Sequence, residues 1–218
     1  MCLFKKKEKM KAKISGFKKS TIDGSERLFS VGVSSNELPK SYSYKNYLPD
    51  VLNQGENPIC VPCSLSAFLN WRQNLKDGSK TDNKVNYFEI YKSKTSEGEG
   101  MTFKEAFSYL RHHGVSSKVG EMKIDSYGLI RNVFSLKAAI VMNGPCFGAL
   151  PVFNYYDDFW NQREGDDFLG YHAISIVGYD EDGFIIRNSW GKSFGSKGYT
   201  KLKNEDVNKF IELWTVLG

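Results

Sequence analysis

The chain has 218 residues, 40% of them apolar and 25% charged, with 30 Lys and Arg against 25 Asp and Glu. This is enough for one domain, or for two subdomains sharing a core, and the balance excludes wholesale disorder and a membrane bundle. The net charge of +5 is local, because residues 1–19 hold eight lysines and one glutamate and the rest of the chain sums to −2.

Lys5, Lys6 and Lys7 open a basic arm, but Glu8, Lys9, Lys11 and Lys13 follow without the apolar run of a secretion signal. No stretch is long and apolar enough to predict a membrane span. Cys2, Cys60, Cys63 and Cys146 are too few for a disulfide framework and read as thiols of a reducing compartment, so the expected location is the cytoplasm, of a cell or of a virus's host. Residues 1–37 read as a basic arm and an irregular lead-in. A domain is expected over 38–218, helical over about 50–143 and β-rich over about 144–218.

Asn57-Pro58 signals a turn, and Val61, Leu65, Phe68, Leu69 and Leu75 then recur at helical spacing. A helix is predicted from Cys60 to Leu75, with Pro62 in its first turn, where a missing N–H costs little, and Asp77-Gly78 closing it. Further helices are predicted over 83–93, 102–113 (with Gly114 as cap) and 132–142. After Gly144-Pro145 the pattern changes to strands, over 146–153, 172–179, 184–189 and 213–217, with Asp182-Gly183 turning the middle pair into a hairpin. The fold class is α+β.

Cys60 at a helix start has the setting that favours a thiolate. Cysteine nucleophilic catalysis also needs a histidine, a group to orient it and an oxyanion donor. Cys60-Val61-Pro62-Cys63 equally describes a redox dithiol, or half of a zinc site whose second C-x-x-C is missing. His112 and His113, at a helix end before Gly114, are assigned no catalytic role. Asp157, Asp158, Glu164, Asp166 and Asp167 oppose only Arg163 just before His172 and are interleaved with aromatic residues. They form a candidate acidic wall that would favour cationic substrate residues.

Asn53-Gln54-Gly55 followed by Cys60, then His172-Ala173, then Asn188-Ser189-Trp190-Gly191 resembles the papain-like cysteine peptidases in order and spacing. Gly178-Tyr179, Phe194-Gly195, Gly198-Tyr199 and the entry Leu38-Pro39 with Leu48-Pro49 extend the likeness over 38–218, and Gly16 to Phe29 loosely resembles the short lead-in of intracellular bacterial and viral members. The resemblance implies an active site in a cleft between a helical N-terminal half and an antiparallel β-rich C-terminal half. It implies Cys60 as nucleophile, His172 as general base and acid, Asn188 as its orienter, Gln54 as oxyanion donor, and Trp190 as cover for the Asn188–His172 bond. Gly100, Met101, Tyr171 and Ala173 become candidates for the substrate cleft. No metal or organic cofactor is implied, and the partner is a peptide or protein substrate, not nucleic acid. Pro58-Ile59 and Val61 depart from the usual Gly-Ser and Trp around the cysteine, which bears on substrate choice. Without a long prosegment, activity is expected to be limited by specificity, place or timing. A catalytically silent binding module and the dithiol protein are the alternatives.

Overall fold

The computed structural model describes residues 16–32, 34 and 37–218. Cys2 and lysines 5–13 of the basic arm lie outside the described residues. Among the described residues four α-helices, α1 (Cys60–Asp77), α2 (Tyr87–Lys92), α3 (Phe103–His112) and α4 (Val133–Asn143), pack beside a seven-stranded sheet. Its strands are β1 (Tyr42–Ser43), β4 (Ser126–Leu129), β5 (Cys146–Val152), β6 (Gly170–Tyr179), β7 (Gly183–Arg187), β8 (Tyr199–Lys203) and β9 (Glu212–Leu217). The order is β4-β9-β5-β6-β7-β8, every pairing is antiparallel, and β1 pairs with β6. A separate hairpin joins β2 (Val115–Ser117) to β3 (Gly120–Met122).

Helix α1 is buried on nearly every side from Cys60 to Trp71, as befits a helix at the centre of the molecule rather than on its surface. Its polar residues are satisfied internally. Asn70 Oδ1 accepts the Asn83 N–H at 2.7 Å, and Asn74 Nδ2 donates to the carbonyls of Tyr47 and Thr81. These bonds pin the flanking loops to the helix. Helix α3 begins with a capping box, in which Thr102 and Glu105 satisfy each other's backbone N–H groups. It ends before Gly114, which adopts φ +77°.

The predicted helices and the β6–β7 hairpin lie where the periodicity places them, except that the helix expected over 83–93 runs only from Tyr87 to Lys92. The expected division of the chain is less clean. Strand β4 comes from the helical part of the sequence and β1 from the entry before it, yet both belong to the sheet, and the hairpin β2–β3 interrupts the helices. Both β1 and β4 are short, two and four residues, and depend on their sheet partners instead of on their own hydrophobic pattern.

An aromatic cluster joins helices and sheet. Phe147 on β5 lies 5.6 Å from Phe68 of α1 and 5.7 Å from Phe107 of α3, and Phe107 lies 5.9 Å from Trp214 of β9. Phe147→Ala should therefore lower stability by about 3–5 kcal/mol, the range for emptying a buried aromatic site. Urea denaturation measures it, and a loss below about 1 kcal/mol would place the junction elsewhere.

Candidate functional site

The sheet and α1 meet at Cys60. Ser175 on β6 donates its hydroxyl to the Ser64 carbonyl of α1 at 3.3 Å, which fixes the helix start against the strand that carries His172. The backbone N–H groups of Ala173, Val61 and Cys60 itself favour a thiolate at Cys60, but complete burial outweighs them and pushes the thiol up to about 12.

His172 donates or accepts through Nε2 with Asn188 Oδ1 at 2.7 Å. Asn188 Oδ1 also accepts the Ser189 N–H at 2.7 Å, so the amide oxygen is the atom presented, Nε2 is the donor, and Nδ1 is left as the basic nitrogen of the neutral ring. Among the described residues Nδ1 is buried without a hydrogen-bond partner. Burial pulls His172 down to about 4, against the raising effect of Asn188.

Aromatic rings enclose that bond. Trp190 lies 4.6 Å from the imidazole at 30°, and Phe159 lies 5.8 Å from His172 and 5.0 Å from Trp190. Phe194 closes on Trp190 at 5.3 Å. Residues 153–170 thus supply Phe159 to the site. Of the acidic residues in that segment, Asp158 is paired with Arg163 and Asp166 accepts from Asn154 and the Arg163 N–H.

Gln54 is tied to the same loop. Its N–H donates to the Ser189 carbonyl, its Oε1 accepts the Ser189 hydroxyl at 2.6 Å, and its Nε2 donates to the Asn57 carbonyl at 3.0 Å. One residue missed by sequence reasoning holds this arrangement from below. Arg187, almost fully buried, donates to the carbonyls of Pro49 and Asp50 and to the Tyr199 hydroxyl. It clamps the segment leading to Gln54 onto the strand leading to Asn188. A buried arginine one residue before the asparagine is the signal in the sequence.

Cys60, His172, Asn188, Gln54 and Trp190 therefore converge, although 134 residues separate Gln54 from Asn188. The Ala173 backbone meets Cys60, and Met101 pairs with the segment Gly16–Lys18 that lies on Cys60. Gly100 precedes Met101 at the edge, and Tyr171 packs on Phe168 at 5.0 Å, further along the face that Ala173 shares. His112 and His113 lie at the end of α3, where His113 stacks on Tyr109. Cys63 is a free, buried thiol one helical turn from Cys60, with its pKa raised by burial. Among the described residues no three His, Cys, Asp or Glu side chains gather as a metal site.

The lead-in departs most from expectation. Gly16 lies directly on Cys60. A Cβ built there would sit 2.9 Å from Cys60 Sγ and 2.8 Å from the Pro58 carbonyl carbon, so only glycine fits without displacement. The Met101 N–H donates to the Gly16 carbonyl and the Lys18 N–H to the Met101 carbonyl, which makes a parallel bridge at Phe17. Phe17 is buried 5.4 Å from Phe103. Further on, the Ser20 N–H donates to Glu212, Lys104 binds the Thr21 carbonyl and Glu26, and Leu28 bridges Leu129. Residues 16–29 form a strap over the site. The segment that loosely resembles a short lead-in thus covers Cys60, and its fit depends on a glycine that carries no hydrophobic signal.

A group like His172, a base held below its ordinary value near 6.5, takes up its proton sooner in the unfolded chain than in the folded one. Its contribution to stability is complete above about pH 6.5 and is lost as pH falls toward about 4. Melting temperature should drop across that window, and His172→Gln should flatten the drop. Parallel pH profiles for the two chains would contradict it.

A model of the papain family of cysteine proteases matches residues 59–212. A gut-specific cysteine proteinase of Caenorhabditis elegans is 30% identical over 126 residues, covering 53% of this chain and 35% of that protein. Cathepsin B-like CP3 of Giardia intestinalis is 30% identical over 140 residues, covering 61% and 44%. The chain spans less than half the length of these two relatives. Among solved structures, xylellain, a cysteine protease from Xylella fastidiosa, superposes with a TM-score of 0.78 at 19% identity, covering 94% of this chain and 96% of that one. Procathepsin B S9 from Trypanosoma congolense superposes at 0.73 and 17% identity, covering 97% and 89%.

Proposed function

Since this chain belongs to the papain family of cysteine proteases, we propose that it is a cysteine peptidase that hydrolyses peptide bonds through an acyl-enzyme on Cys60. The observation that carries the reading is the His172–Asn188 bond, which leaves Nδ1 as the base, on a strand whose next residue, Ala173, touches the thiol.

His172 Nδ1 takes the Cys60 proton, and the thiolate attacks the peptide carbonyl carbon. The carbonyl oxygen becomes an oxyanion, stabilised by Gln54 Nε2 and the Cys60 N–H. The imidazolium protonates the leaving amine as the C–N bond breaks, leaving a thioester. A water then attacks the thioester, with His172 accepting its proton and returning it to Cys60 Sγ as the acid product leaves. Asn188 keeps Nε2 protonated and the ring in orientation throughout, and the Trp190–Phe159 cover keeps water from competing for that bond. Ser189 supports the Gln54 role by holding Oε1, which fixes the direction in which Nε2 donates. The free thiols Cys60, Cys63 and Cys146 support a reducing compartment, the cytoplasm, as the place of action.

With the strap in place a substrate carbonyl has no room at Cys60, so the chain is latent as folded. The basic arm continues into this strap, so removing residues 1–19 should raise activity. Gly16→Val places a branched side chain where a single carbon already meets Pro58 and Cys60. It should lift the strap and raise peptide hydrolysis at least severalfold over the parent chain. Equal or lower activity would show that the strap does not limit access.

In the Gly16→Val chain, Cys60→Ala should abolish hydrolysis and Cys63→Ser should leave most of it. Gln54→Ala should lower kcat by about 100- to 1000-fold, the cost of one oxyanion donor. Cys63→Ser as damaging as Cys60→Ala would instead favour the dithiol reading, and alkylation of Cys60 no faster than that of Cys146 would favour a binding module.

A further inference from the structure

Cys63 is a buried free thiol beside the nucleophile, and the reaction above does not use it. It follows Cys60 by three residues on α1, so the two share a face of the helix. That face is turned to β6. The Ala173 N–H reaches Cys60, and the Ser175 hydroxyl is bonded to the Ser64 carbonyl. Cys63 borders a small cavity whose other walls include Ser175, Arg187 and Asn188. The two sulfurs are close enough that charge on Cys60 raises the Cys63 thiol, in addition to the effect of burial. Cys146 stands apart on β5, opposite Ile176, where its thiol donates to the Gly144 carbonyl at 3.7 Å.

Helix geometry brings these two thiols within bonding range. Residues three apart on an α-helix have Cα atoms about 5 Å apart, inside the range of about 4.4–6.8 Å that disulfides span. Their Cβ atoms, about 5–6 Å apart in a regular helix, must close to about 3.8 Å. The first turn of α1 is the part of the helix that can yield this much. The Cys60 and Val61 N–H groups have no intrahelical acceptor, Pro62 has no N–H, and Ile59 offers no side-chain cap. Cys63 itself is tied through its backbone N–H to the Ile59 carbonyl at 3.0 Å, and among the described residues no hydrogen bond holds its sulfur. The thiol is therefore free to turn toward Cys60.

We propose that Cys63 is a resolving thiol for Cys60: when a hydroperoxide such as hydrogen peroxide oxidises the uncovered nucleophile, Cys63 closes a reversible Cys60–Cys63 disulfide. The inference rests on the peptidase reading above, which uncovers Cys60 and makes it a thiolate. The disulfide switches that activity off and is not itself the activity.

The Cys60 thiolate attacks one peroxide oxygen, and the O–O bond breaks. The departing hydroxide takes the proton held by His172 and leaves as water, and Cys60 becomes a sulfenic acid. The Cys63 sulfur then attacks the Cys60 sulfur. The S–O bond breaks, and the second hydroxide leaves as water with the Cys63 proton. The two thiols lose two electrons and the peroxide gains them. Arg187, whose charge favours a thiolate at Cys63, eases the loss of that proton. A sulfenic acid without a partner oxidises further, to a sulfinic acid that thiols do not reduce, whereas the disulfide is returned to two thiols by exchange with a thiol reductant. In a reducing compartment the switch is therefore transient. While the strap is in place, Gly16 covers Cys60 and keeps the oxidant out.

The test adds hydrogen peroxide stepwise to the full chain opened by Gly16→Val, or by Phe17→Ala, which removes the buried anchor of the strap, each with and without Cys63→Ser. Matching melting curves establish that Cys63→Ser folds like the chain it is made in. Mass mapping of the peptide that holds residues 60–63 should show the loss of two hydrogens, reversed by dithiothreitol, and hydrolysis should fall and return with it. With Cys63→Ser the same peptide should gain two oxygens, and the activity that dithiothreitol restores should drop roughly tenfold or more. Equal recovery with and without Cys63 overturns the proposal. So does the absence of the disulfide from both opened chains, or a disulfide that joins Cys60 to Cys2 or Cys146 instead. The mass readout does not depend on hydrolysis. If no peptide is cleaved, the peptidase reading fails, while a Cys60–Cys63 disulfide that spares Cys60 from the sulfinic acid still upholds the role of Cys63, and its absence overturns it.

Discussion

The structure depends on one close contact, that of the Gly16 backbone with Cys60. Around it water is excluded, and exclusion sets the chemistry: burial holds Cys60 up at about 12 and His172 down at about 4, so thiol and imidazole rest as a neutral pair. The helix start, the Ala173 N–H and Asn188 all favour the charged pair, but in a dry site they are outweighed. On the proposed reading, removing the strap would admit water and polar substrate, and the same fixed dipoles would then act on a solvated thiol.

Rigidity around the pair makes this economical. Arg187 clamps the segment before Gln54 to the strand before Asn188, and Ser189 bonds the Gln54 side chain. Trp190, Phe159 and Phe194 pack over the imidazole. The strap is held by backbone bonds to Met101 and Leu129, by Glu212 and Lys104, and by the buried Phe17.

Much of this was legible in the sequence, for reasons that differ by element. Helix α1 and the β6–β7 hairpin follow from periodicity and from Asp182-Gly183. The site residues were found through the joint spacing of Gln54, Cys60, His172 and Asn188, since no single one of them identifies itself. Strand β8, not among the predicted strands, does alternate, with Leu202 inward and Lys201 and Lys203 outward, but over only five residues. Beyond the loose likeness over Gly16 to Phe29, the contacts of the strap were illegible because their information is long-range. Gly16 looks like any loop glycine until Cys60 is placed beneath it, and the Ser20–Glu212 bond spans 192 positions of sequence.

The central claim is that the strap keeps the catalytic pair dry and neutral. The rate of Cys60 alkylation by iodoacetamide, followed from pH 5 to 10 by mass mapping, tests it directly in the parent chain and in Gly16→Val. The account predicts slow modification of the parent that rises only toward alkaline pH, and fast modification of Gly16→Val that persists well below pH 8. Equal rates and equal pH profiles in the two chains would contradict it.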